Sequence, residues 1–227
     1  MSFPNDNQYV PVTLDGVPVT DPARDAFPDE TDIVGNSSFP AAYYAYDGTN
    51  VYFRMRLNAD PRFRNGFLNF AWGVLFDTDG VASTYEWSLT VNGLDNTLEL
   101  VPNTVQIPNS FNDQAEGADG RGVPSFSVPI INFGVARAKE VEDGSAFGGT
   151  GNSFIDFFVP AATLFSLLGI TAASSLRFLF FTSTNANNFN KDFIDLKGSV
   201  LSAAFSERTD DYSRRRLGRR RRRIDFY

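Results

Sequence analysis

The sequence predicts an all-β fold: a two-sheet antiparallel β-sandwich, jelly-roll-like in its connections, with one short helix and extended termini. Three observations carry this. Apolar and polar residues alternate with period two along most of the chain. Asp-Gly and Asn-Gly turn signals recur at short intervals. Phe numbers 23 against 8 Tyr and 2 Trp, so most rings have no polar handle and belong in a core or an interface. The expected division is an extended segment at 1–13, the sandwich at 14–206 and an arginine-rich tail at 207–227.

In chain order, "AAYYAYDGTN" reads as a strand closed by an Asp47-Gly48 turn. "NVYFRMRLN" follows, with Val51, Phe53, Met55 and Leu57 on one face and Tyr52, Arg54, Arg56 and Asn58 on the other. In "FLNFAWGVLFDTDG", Leu68, Phe70, Trp72, Val74 and Phe76 alternate. The opposite face (Asn69, Ala71, Gly73, Leu75) is small or apolar, which marks a central strand covered on both sides. "TYEWSLTVNG" puts Tyr85, Trp87, Leu89 and Val91 together, and "TLELV" completes a meander that Pro102 ends. The polar, Gly-rich stretch from Pro108 to Ser127 predicts a long surface loop. A strand is expected from Pro129, with Ile131, Phe133 and Val135 on one face. "VEDGSAFGGTGNS" is a second loop. "FIDFFVP" is a strand, and "AATLFSLLG" is a helix stopped by Gly169. "SLRFLFFTST" is a further strand, "NANNFNKD" a loop and "SVLSAAFS" a final strand.

Composition narrows the chemistry. The chain has no Cys and no His, so disulfides, thiol nucleophiles, imidazole bases and Cys/His metal centres are excluded. A carboxylate pair is the standard catalytic machinery that remains, and nothing in the sequence pairs Glu86 with Asp156. The three lysines, Lys139, Lys191 and Lys197, sit in no Ser–Lys motif. The expectation is therefore a protein that is not an enzyme. "MSFPNDNQYV" has neither a basic n-region nor an apolar h-region, so no secretory signal is read there. The most apolar stretch, Phe157 to Ile170, is shorter than the ~20 residues a membrane-spanning helix needs, so no membrane insertion is expected.

"LDGVPVTDPARDAF…DIVG", "AAYYAYDGTNVYFRMRLN" and "WGVLFDTDG" together resemble the opening of family 9 carbohydrate-binding-module-like, or DOMON-like, β-sandwiches. "IDFFVPAATL" is similar to a later strand of that family that runs through a Pro into a short helix. The same phrasing is similar to modules in surface proteins of spore-forming bacteria. The resemblance implies a sandwich that binds sugar, binds haem or serves as a structural module. The haem branch relies on His and Met ligands, and this chain lacks His, so haem is set aside.

Candidate sites follow. Asp77 and Asp79 in "DTDG" are carboxylates suited to Ca²⁺, the one ion kept open. The spacing is not that of an EF-hand, because Val81, Ala82 and Ser88 stand where ligands or the invariant Gly would be, so a hairpin turn is favoured. Asp21, Asp25, Asp29, Glu30 and Asp32 form an acidic run in which Pro22 and Pro28 predict a solvated loop. Among aromatic residues, Trp72 and Trp87 fall on apolar faces, and Tyr43, Tyr44 and Tyr46 lie on the first strand. Tyr52 with Arg54 and Arg56 is the best candidate polysaccharide-binding face, set against an ordinary outer sheet face.

The tail "RRRLGRRRRRIDFY" carries eight Arg and one Asp, whereas residues 1–213 hold 12 basic and 26 acidic residues, a net −14. An acidic body disfavours nucleic acid as the partner, although a capsid-like coat with a basic arm remains the third alternative. The tail's natural counter-charge is the protein or a second copy. Its apolar end suits strand addition to an open sheet edge, against a solvated tail as the bland alternative. The leading expectation is a non-catalytic structural subunit of a bacterial surface assembly (filament or spore or cell-surface layer) that forms a homo-oligomer or polymer through its termini. Tyr9, Val10, Arg214, Arg219, Arg223, Ile224, Phe226 and Tyr227 are the expected contacts. The alternative is a carbohydrate-binding module with a structural Ca²⁺.

Overall fold

The computed structural model describes residues 2–14, 16–81, 83–110, 113–116, 123–194 and 203–204. The strands are β1 (Val10–Pro11), β2 (Thr13–Leu14), β3 (Val17–Pro18), β4 (Ala42–Tyr46), β5 (Asn50–Leu57), β6 (Arg62–Phe63), β7 (Gly66–Phe67) and β8 (Ala71–Asp77). They continue as β9 (Trp87–Asn92), β10 (Thr97–Pro102), β11 (Phe126–Pro129), β12 (Ala136–Glu140), β13 (Ser153–Pro160), β14 (Ser175–Ser183), β15 (Asp192–Phe193) and β16 (Ala203–Ala204). Among the described residues the one α-helix, α1, spans Ala161–Leu168.

Two antiparallel sheets carry the fold. The first has the order β1-β4-β5-β13-β12, the second β11-β10-β9-β8-β14-β15, with β16 against the start of β14. The chain crosses between sheets after β5, after β11 and, through α1, after β13. That places β13 beside β5 and β14 beside β8, the jelly-roll-like pattern expected. β8, β9 and β10 form the expected meander.

The inner faces meet in one core. Val51, Phe53, Met55 and Leu57 point inward from β5, as do Trp72, Val74 and Phe76 from β8. The Phe53 ring touches those of Phe76, Phe157, Phe178 and Phe180 at centroid distances of 5.6, 5.8, 5.9 and 6.2 Å. These tilted and edge-on geometries are the favourable ones for aromatic pairs. α1 begins directly after Pro160 and ends at Gly169, whose φ of 68° is the left-handed stop.

The outer faces are covered as well. On the second sheet, Leu75, Val101 and Phe181 pack under Tyr85, Ala115 and Phe189. On the first, Ala45, Tyr52 and Phe158 pack under Tyr9 and Phe3. This double covering explains why β5, β8 and β13 are buried along almost their whole length.

Three local expectations are corrected. The strand expected from Pro129 is instead β11 ending at Pro129 and β12 starting at Ala136. Between them Asn132 and Phe133 take φ values of 50° and 55°, which break extended backbone where the chain crosses sheets, and Ile131 is left exposed. Tyr85 does not share the inward face of Trp87, because β9 starts only at Trp87 and Tyr85 turns to the outer cluster. The stretch expected as a surface loop from Pro108 to Ser127 buries Asp113 and Ala115, and β11 already begins at Phe126. No helix among the described residues is long and apolar enough to cross a membrane.

Candidate functional site

The outer face of the first sheet is where the sequence placed Tyr52, Arg54 and Arg56. These three are 2%, 2% and 0% exposed, so the open face expected of them is corrected. Tyr52 and Arg54 are covered by a strap, and Arg56 by the segment carrying Asp143, Ser145 and Phe147. Residues 2–9 run across the face through a turn at Asp6–Gln8, and β1 then pairs with β4, Val10 opposite Tyr44 and Pro11 opposite Tyr43.

The strap is held by three side chains. The Phe3 ring packs edge-on against Phe158 at 5.4 Å and lies 6.2 Å from Tyr52, with the Arg137 guanidinium 4.3 Å from its centroid. Asp6 pairs with Arg54 Nη1 at 3.0 Å and with Lys139 Nζ. Tyr9 lies over the Arg54 guanidinium at 3.8 Å, and Phe154 covers its other side at 4.3 Å. Burial, and then the Asp156 charge, push the Tyr9 hydroxyl well above its ordinary pKa, so that hydroxyl stays neutral.

Beneath the strap, Asp156 accepts from Arg54 Nε at 2.6 Å and Nη2 at 2.8 Å and from Arg137 Nε at 2.9 Å. β13 faces β5 with Asp156 opposite Arg54, so strand register brings the pair together. Arg56 is locked separately: Asp143 and Ser145 each accept from it at 2.8 Å, and it lies 4.6 Å from Phe154. Both guanidiniums are thus stacked on rings and bonded to carboxylates, which is how a buried arginine is tolerated.

At the "DTDG" turn, Asp77 Oδ1 accepts the N–H groups of Asp79 at 3.2 Å and Gly80 at 2.6 Å, and Asp77 Oδ2 pairs with Arg177. Asp79 Oδ1 accepts from Val81 at 2.8 Å. Glu86 joins them: each of the three offers an oxygen within 4.8 Å of the others, and Glu86 Oε2 accepts the Thr78 N–H at 2.6 Å. Burial, with the charges of Asp79 and Asp77, raises the Glu86 pKa. These hydrogen bonds account for the turn residues locally, and Arg177 already supplies Asp77 with a counter-charge.

The acidic run behaves differently from the solvated loop expected. Asp21 and Asp32 are buried, while Asp25 is exposed. Asp21 and Asp25 converge with Asp192, whose oxygens complete a set within 4.8 Å. Asp32 accepts from Arg24 N–H at 2.8 Å and Asn58 Nδ2 at 2.7 Å, and Asp192 Oδ2 accepts from Ile33 N–H at 2.6 Å. Burial pushes the Asp192 pKa up to about 7, with Asp25 and Asp32 adding to it. Three convergent carboxylates supply part of the six to eight oxygens that Ca²⁺ takes. Asp29 and Glu30 lie outside this set; Glu30 instead accepts the Trp72 Nε1–H through its backbone carbonyl at 2.8 Å.

Tyr9 is buried and Val10 half-buried in the strap. Arg214, Arg219, Arg223, Ile224, Phe226 and Tyr227 lie outside the described residues. The residues that hold the strap, Phe3, Asp6, Arg137 and Asp156, were not singled out from the sequence as a group. The signal was there: two arginines at alternate positions of an otherwise apolar strand, and one Asp at the middle of "FIDFFVP". No family model matches the chain, and neither a curated protein nor a solved structure matches it.

Proposed function

We propose that the protein is a non-catalytic structural subunit of a surface assembly that associates with further copies of itself through its N-terminal segment. The supporting observation is the socket on the outer face of the first sheet. It takes an aromatic ring, a carboxylate and a second ring at fixed spacing, from Phe3, Asp6 and Tyr9. A second copy presents the same three side chains on the same extended segment, so socket and strap are complementary between copies as well as within one. Strand pairing of β1 to the edge of β4 adds main-chain hydrogen bonding to that exchange. The resemblance to surface modules favours the same class.

The test is light scattering with size exclusion, and negative-stain imaging, on the full chain and on chains lacking residues 1–10 or 214–227. Assembly of the full chain, lost on truncation, supports the proposal. Identical polymers from both truncations end it. The carbohydrate-binding alternative draws on the Asp21, Asp25 and Asp192 set as a structural Ca²⁺ centre. Specific retention on an insoluble polysaccharide would favour it.

A further inference from the structure

We infer that Asn103 and Asp113 form a buried divalent-cation site, and that Ca²⁺ is the ion its chemistry fits. The site lies where the chain leaves β10 and folds back over the outer face of the second sheet. Asn103 N–H donates to Glu86 O at 2.7 Å, which fixes its backbone. Asn103 Nδ2 donates to Tyr85 O at 3.0 Å and to Asp113 Oδ2 at 2.9 Å. The Ile107 N–H also donates to Asp113 Oδ2 at 2.9 Å, and the Tyr85 hydroxyl donates to the Asp113 carbonyl at 2.5 Å.

All of that bonding falls on one side of each group. Asn103 Oδ1 and Asp113 Oδ1 are buried and have no donor among the described residues. The two residues are 4% and 2% exposed and are bonded to each other through Asn103 Nδ2 and Asp113 Oδ2, so the two bare oxygens belong to adjoining buried side chains. Turning the Asn103 amide over does not help, because its nitrogen already spends both hydrogens on acceptors. Both bare atoms are acceptors, so their partner must be a donor or a cation.

Charge selects between them. A carboxylate buried without a counter-ion is strongly unfavourable, and no cationic side chain pairs with Asp113 among the described residues. A water would supply hydrogens and leave the charge unbalanced. Glu116 adds a second negative charge nearby, with its Oε2 on the Val105 N–H at 3.3 Å. Burial and the charges of Asp113 and Glu116 all push the Tyr85 hydroxyl pKa upward. One carboxylate oxygen and one amide oxygen, both hard donors, are suited to a hard divalent ion. The ion would pin the connection between β10 and β11 to the sheet, where Ala115 already packs with Tyr85 and Val101.

The experiment is hydrogen exchange by NMR on the full chain, stripped with EGTA and then titrated with CaCl₂ alone. At about ten times the Kd, exchange at the Val105 and Ile107 amides should slow about tenfold. Asp113→Asn should lose this slowing, while Asp79→Asn and Asp25→Asn should keep it. The inference is overturned if those amides do not respond at about 10 mM Ca²⁺, above the millimolar range of extracellular modules. It is equally overturned if Asp113→Asn keeps the response or Asp25→Asn removes it. Should Asp113→Asn not fold, an anomalous difference map from a calcium-grown wild-type crystal decides. A peak between Asn103 and Asp113 upholds the site, and an ordered water alone there overturns it.

Discussion

Replacing Asp156 with Ala isolates the socket under the strap. The carboxylate is fully buried and takes three hydrogen bonds, two from Arg54 and one from Arg137. Removing it strands Arg54, itself 2% exposed, with Asp6 at 3.0 Å as its one remaining acid partner among the described residues. Breaking a buried pair by deleting one member costs about 3–5 kcal/mol, and the remaining Asp6 contact places this case near the lower end. Against a total stability of about 5–15 kcal/mol the loss is large. In urea unfolding followed by tryptophan fluorescence, it lowers the midpoint by about 1–1.5 M at an m-value of ~2–3 kcal/mol/M. Asp6→Ala is the contrast: that carboxylate is 56% exposed, so its pairs are screened and its loss costs under about 1 kcal/mol. Replacing Arg54 and Asp156 together by Leu should cost less than Asp156→Ala alone, because the fully buried guanidinium is gone and Arg137, 29% exposed, still reaches water. If Asp156→Ala shifts the midpoint no more than Asp6→Ala does, Arg54 is not buried beneath the strap and the socket as described is wrong.

Two further outcomes test other parts of the molecule. Asp192 keeps its proton to about pH 7 when folded but loses it near pH 4 when unfolded, so its contribution falls as pH rises between those values. In EDTA, stability from pH 5 to 7 should decline by up to about 2.5 kcal/mol, and Asp192→Asn should flatten the decline; parallel curves for the two proteins would contradict this. Gly73→Ala puts a methyl 2.7 Å from the Phe181 ring and against the Leu89 carbonyl, so thermal unfolding should occur at least several degrees lower. An unchanged Tm would show that β8 and β14 are not packed as closely as described.

Much of the sandwich was legible because alternation reports which residues face inward. Val51 to Leu57 and Trp72 to Phe76 were assigned by that rule, and both sets lie in the core. The rule was silent on what lies above the other face. Tyr52, Arg54 and Arg56 read as an outer surface because polar residues at alternate positions usually meet water. Here Tyr52 and Arg54 meet a strap, Arg54 also an aspartate more than a hundred residues away, and Arg56 the Asp143 carboxylate. Pairing across that separation is set by the register of β5 on β13, which no local pattern encodes. Asp192 escaped notice for the same reason: its partner Ile33 is distant in sequence. The turn at Asp77 was readable because Asx bonding is local. Asn132 and Phe133 defeated the strand expected after Pro129, since a bulky residue at positive φ has no sequence signal.

The central claim is that the N-terminal segment joins one copy to another, and molar mass measured by light scattering tests it most directly. The account predicts that the full chain forms multimers, and that Phe3→Ala with Asp6→Ala, or removal of residues 1–10, yields a folded monomer. A full chain that is monomeric at high concentration, or variants that assemble as it does, would contradict the claim.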